Sequence, residues 1–144
     1  MLAILLLAGT ACETGWDVQG RVLTKAVVDK QRPLYILVGE ADKTVAHPTA
    51  QDMSYRLVER ASQIPEEVIS FKYSRLGCHR GSVVVLAWAP VHPPIYDETR
   101  SYIEFHPEPG DYVAESQVAH PYCGWSSKPA VVTVTLSSSP GSSR

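Results

Sequence analysis

The run Val83–Ala89 reads Val-Val-Val-Leu-Ala-Trp-Ala, with no polar side chain, and Pro90 follows at once. A run this short, rich in valine and bounded by Gly81 and Pro90, is a strand rather than a helix. Successive side chains of a strand point to opposite faces. An all-apolar strand must therefore be buried on both faces, which makes it a central strand. Burying Val83, Val85 and Trp88 stabilises by about 1.5–3 kcal/mol each.

The rest of the chain supplies partners for it. Val18, Gly20 and Val22 open a first strand that runs to about Val28, before a turn at residues 29–33. Residues 34–38 are a β-rich run ended by Gly39, and a polar loop, 40–51, follows. Residues 52–61 are ambiguous. Met53, Leu57 and Ala61 recur at helical spacing, with Thr49 and Asp52 as a capping box. Tyr55, Leu57 and Glu59 also alternate against Arg56, Val58 and Arg60, as in an edge strand, and strand is the preferred reading. Residues 68–73 alternate, with Ile69, Phe71 and Tyr73 facing the core. Short strands at 102–105 and 112–115 flank a turn at 107–110, and 131–136 alternates Val and Thr as the last strand. Eleven prolines and nine glycines punctuate the chain at a spacing that suits short strands and turns. The expectation is an all-β fold: one β-sandwich of about seven to eight mostly antiparallel strands, transthyretin-like or Ig-like.

The N-terminus looks like an export signal. An apolar run, residues 2–8, precedes Gly9-Thr10-Ala11 and then Cys12. Small residues before a cut fit signal processing. A cysteine directly after them resembles the lipid-modified cysteine of bacterial lipoproteins, although Gly9 stands where that pattern has leucine. The expected organisation is a signal peptide at 1–11, a lipid-anchor cysteine and tether at 12–17, a β-sandwich domain at 18–136, and a disordered Ser/Gly/Pro-rich tail at 137–144. The expected address is a bacterial cell envelope, membrane-anchored in the periplasm or at the surface. The apolar run is far shorter than the ~20 residues that span a bilayer.

Setting Cys12 aside leaves Cys78 and Cys123, each in a turn before a strand. In an oxidising compartment such a pair forms a disulfide. It would close a loop of about 45 residues and stabilise by about 4 kcal/mol on the chain-entropy model. Two buried thiols, or a metal or redox role, are the alternatives.

The charge balance, 13 basic against 15 acidic residues with no basic run, excludes a phosphate-neutralising patch, so nucleic acid is not an expected partner. Phosphate-cradling glycine loops and a nucleophile elbow are absent. Four of the five histidines precede proline: His47, His92, His106 and His120. Proline pushes its predecessor into extended geometry, which places these histidines at loops and strand ends. None has the spacing that sets two metal ligands on one element, so no metal and no cofactor is expected. Tyr122-Cys123-Gly124-Trp125 lacks the histidine and methionine that a copper loop needs. Asp97, Glu98, Glu104, Glu108, Asp111 and Glu115 form an acidic band that reads as a solvated face. Trp125 is the exposed aromatic suited to stacking on a sugar, whereas Trp88 lies in the buried run and Trp16 in the tether.

The order of strands is similar to that of transthyretin-like (prealbumin-like) sandwiches, such as carboxypeptidase regulatory-like domains, found in many bacterial surface lipoproteins. The residues carrying this are Val18, Gly20 and Val22; Phe71; Gly81 leading into Val83, Val85 and Ala87; the Pro109-Gly110-Asp111 turn; and Val132, Val134 and Leu136. The similarity spans about residues 18–136. Some members carry an Asp-rich loop after the strand matching Val83–Ala89. Here that stretch runs from Pro90 to Asp97 without it, so a metal site does not carry over. The resemblance implies a non-catalytic module that binds proteins or sugars, or acts as a spacer. The expectation is thus a non-enzymatic envelope lipoprotein whose partners are the membrane, through its anchor, and an envelope protein or glycan. Its contact loops hold His92, Tyr96, Tyr102, His106 and Trp125, because loops on a rigid scaffold carry binding. A metal-binding protein using the loop histidines and a carbohydrate-binding module are the alternatives.

Overall fold

A computed structural model describes residues 15–41, 53–76, 82–94, 96, 99, 102–116, 119 and 129–138. Within them the chain is all-β, with no helix and eight strands: β1 (Gly15–Leu23), β2 (Leu34–Ala41), β3 (Met53–Ala61), β4 (Val68–Leu76), β5 (Val83–Ala89), β6 (Tyr102–Ile103), β7 (Tyr112–Glu115) and β8 (Ala130–Thr135). They form a β-sandwich. One sheet has the order β4-β1-β8 and the other β6-β3-β2-β5-β7. All pairs are antiparallel except β1 with β8.

Alternation builds the core between the sheets. The smaller sheet contributes Trp16, Val18 and Val22 from β1, Phe71 from β4, and Val132 and Val134 from β8. The larger sheet answers with Leu34, Ile36 and Val38 from β2, Val83, Val85, Ala87 and Ala89 from β5, and Tyr112 from β7. Every residue of β5 is buried, as its sequence requires. Its other face, with β2 and β3, holds a second apolar cluster of Tyr35, Leu37, Tyr55, Leu86, Trp88 and Ile103. Ile69, Phe71 and Tyr73 of β4 face inward as the alternation predicts.

β3 settles the ambiguous segment as a strand, flanked by β2 and the short β6. The β2–β3 register shifts between Ile36 and Leu37, and Val58 has no partner of its own in the ladder. This bulge reverses the alternation. Met53, Tyr55 and Leu57 pack outward on the second cluster, while Val58 and Ala61 pack inward.

Three expected boundaries are corrected. β1 begins at Gly15, inside the stretch expected to be a tether, and Trp16 is 1% exposed in the core. β1 ends at Leu23 rather than near Val28, where Thr24 turns the chain by accepting from the Val27 amide and donating its hydroxyl to the Pro65 carbonyl. β2 continues through Gly39 to Ala41. Gly39 stays in the strand because the Tyr55 ring lies against it: a Cβ there would come within 2.7 Å of that ring.

Candidate interaction surface

The segment after β5 returns over the outer face of the larger sheet and is fastened by Asp111. This carboxylate is 1% exposed. It accepts from the Trp88 indole N–H at 2.9 Å, the Val91 amide at 2.7 Å and the Glu108 amide at 2.9 Å. A buried carboxylate is retained only when donors surround it. The Asp111 amide donates back to the Glu108 carbonyl, closing a turn with Pro109 and Gly110 at its centre. Gly110 has φ of 93°, the left-handed region required at that place in a type II turn. Arg32 donates to the Gly110 carbonyl and stacks 4.8 Å over the Tyr112 ring. The connection is thus held at both of its ends.

The side chains on its inner side fill the second cluster. Phe105 meets Trp88 edge-on at 5.2 Å and Tyr55 at 5.4 Å. Ile103 is buried, and Tyr96 packs against the same cluster. On its outer side stand Tyr102, 49% exposed, and the exposed His92 and His106. Arg56 stacks on the Tyr102 ring at 4.5 Å and donates to its hydroxyl at 2.7 Å. His92 Nδ1 pairs with Glu108 at 2.9 Å, and His106 Nε2 with Glu104 at 3.2 Å.

The structure therefore divides the expected contact residues. Tyr102, His92 and His106 face solvent on one pinned connection. Tyr96 is half-buried and acts in packing. Trp125 lies outside the described residues, as do Cys12, Cys78, Cys123, His47, His79 and His120, so the anchor and disulfide readings rest on sequence. Asp111, expected on a solvated acidic face, is instead a buried hub. The signal for that role was its place directly after Pro-Gly, where an Asp carboxylate can reach back to backbone amides. Among the described residues, no three His, Cys, Asp or Glu side chains gather into a group able to hold a metal ion.

A second polar cluster joins the two sheets. Arg75 of β4 forms an ion pair with Glu40 of β2, and the Tyr73 hydroxyl donates to the same carboxylate at 3.4 Å. Trp16 backs Tyr73 edge-on at 5.5 Å. Burial, then the neighbouring Glu40 charge, raises the Tyr73 pKa. The hydrogen bond to Glu40 raises that of Arg75. Sequence reasoning missed this cluster, because Glu40 and Trp16 lie far in the chain from Tyr73 and Arg75 and reach them only in the folded sandwich.

No family model, no curated protein and no solved structure matches this chain. Among the described residues no helix is long and apolar enough to cross a membrane.

Proposed function

We propose that this chain is a non-enzymatic interaction module of a bacterial cell envelope, exported through residues 1–11, anchored by lipid on Cys12, and contacting an envelope protein or glycan through the connection between β5 and β7. The observation that carries the reading is the attachment of that connection by Asp111. A loop held by hydrogen bonds to a buried carboxylate presents Tyr102, His92 and His106 with little ordering left to do on binding. The transthyretin-like reading rests on the resemblance of the strand pattern over residues 18–136, with which a two-sheet all-β sandwich is compatible.

Two measurements test the address and the surface separately. The intact mass of the product from the membrane fraction, with and without reductant, is expected to correspond to a chain starting at an acylated Cys12 and to rise by two hydrogen atoms on reduction. An unprocessed, fully reduced mass sinks the envelope reading. For the surface, Tyr102→Ala combined with His92→Ala is expected to abolish photo-crosslinks formed in intact envelopes from a probe at residue 106, with Tm unchanged. Crosslinks that persist in the double variant place the contact elsewhere.

A further inference from the structure

Open sheet edges present unpaired backbone groups, and proteins blunt them by shortness, charge or proline. Among the described residues three of the four sheet edges are blunted. β6 has two residues and β7 four. β4 carries Lys72 and Arg75. β8 differs. Its six residues, Ala-Val-Val-Thr-Val-Thr, hold no charge and no proline, and they end the smaller sheet among the described residues.

The hydrogen-bond phase of β8 follows from one bond. The Leu136 amide donates to the Leu23 carbonyl. In a parallel ladder a residue directs both its N–H and its C=O to the same side, alternating along the strand. Val132, Val134 and Leu136 therefore bond β1, while Val131, Thr133 and Thr135 aim theirs at the open edge. The side chains of these three are exposed on the outer face, Val131 at 73%.

We propose that β8 is the interface to a second copy of this chain, paired antiparallel about Thr133 so that the two smaller sheets become one continuous sheet. In that register Thr133 faces Thr133 of the second copy, and Val131 faces Thr135. Each of these residues then exchanges both outward backbone bonds with its counterpart. Centring on Val132 instead would set Thr135 against Pro129, which has no N–H to give. Facing Thr side chains are a favourable cross-strand pair, and no like charges meet. Self-pairing of β4 about its middle residue would set Lys72 against Lys72. The edge is thus complementary to a copy of itself: about Thr133 every outward N–H meets an outward C=O, and no charge opposes another.

Sedimentation equilibrium of the purified full chain over a concentration series tests this. The expected result is a mass that doubles from the 15.8 kDa monomer as concentration rises. Thr133→Lys brings like charges face to face and should weaken the dimer roughly tenfold or more. Thr133→Pro removes an outward N–H while sparing the β1 ladder, and should do the same. Lys72→Ser on the β4 edge should leave the dimer unchanged. If Thr133→Pro lowers Tm in dilute solution, Thr133→Lys alone decides. A chain that stays monomeric to about 1 mM, or a dimer indifferent to Thr133→Lys, overturns the proposal.

Discussion

The indole N–H of Trp88 donates to the buried carboxylate of Asp111 across 2.9 Å, joining the central strand to the connection that covers it. Trp88 reaches this partner because it sits on the outer face of β5, opposite Val113 of β7. Asp111 lies just before β7, and its other two donors come from the start and the end of the same connection.

Replacing Asp111 with alanine leaves the Trp88 indole and two backbone amides without their acceptor. Each unsatisfied buried donor costs about 1–3 kcal/mol; the Trp88 indole is buried and the two amides are partly so, and a loss of at least about 1 kcal/mol is expected in urea unfolding. Asp111→Asn keeps an acceptor and should lose less. A cost below about 0.5 kcal/mol for alanine would show that the hub contributes nothing.

Two glycines inside strands should differ in their response to alanine. At Gly20 a Cβ would collide with the Val132 carbonyl, which is backbone of the parallel β1–β8 pair. At Gly39 it would press on the Tyr55 ring and the Met53 sulfur, 2.9 Å away, and side chains can yield. Overpacking costs typically about 1–3 kcal/mol. Gly39→Ala should fall within that span and Gly20→Ala above it. The reverse order in chemical denaturation would contradict the strand packing described here.

Trp16→Ala should cost about 3–5 kcal/mol, as for other large buried aromatics. A chain shortened to start at Val18 should lose at least as much. A residue in a solvated tether would show neither effect, so the thermal midpoints of these variants decide where the domain begins.

Stability should fall in alkali. Burial, and then the Glu115 charge, pushes the Tyr55 hydroxyl up to about 12 from an ordinary value of 10.0. Tyr73 is raised as well. A raised tyrosine pKa means that above pH 10 the unfolded chain loses its proton while the folded one keeps it. The contribution is therefore full below pH 10 and lost as pH climbs through the folded value. Among the described residues the buried Tyr55 hydroxyl has no hydrogen-bond partner, so Tyr55→Phe should be neutral or slightly stabilising at pH 7 and should flatten the alkaline decline. An equally steep decline in the Phe variant would exclude Tyr55 as its source.

Much of the fold was legible because its strands obey simple periods. The apolar run of β5, the alternation of β4 and the Val/Thr pattern of β8 each state which faces are covered. The mixed signal of residues 52–61 has a structural cause. The bulge at Val58 moves the apolar positions from one face to the other, and the resulting spacing of Met53, Leu57 and Ala61 imitates a helix. Gly39 looked like a strand end because a glycine so often is one. It is instead the floor on which Tyr55 rests.

What the sequence determined by itself is which segments are strands and that β5 is buried on both sides, since burial of apolar side chains is a property of composition and period. Only the tertiary structure decided that Trp16 belongs to the core, that Asp111 is a buried hub rather than a solvated acid, and that Glu40 and Arg75 meet across the sheets. Each of these depends on partners tens of residues away. A side chain's own identity cannot say whether its donors and neighbours will arrive, and the crossing of the strands brings them there.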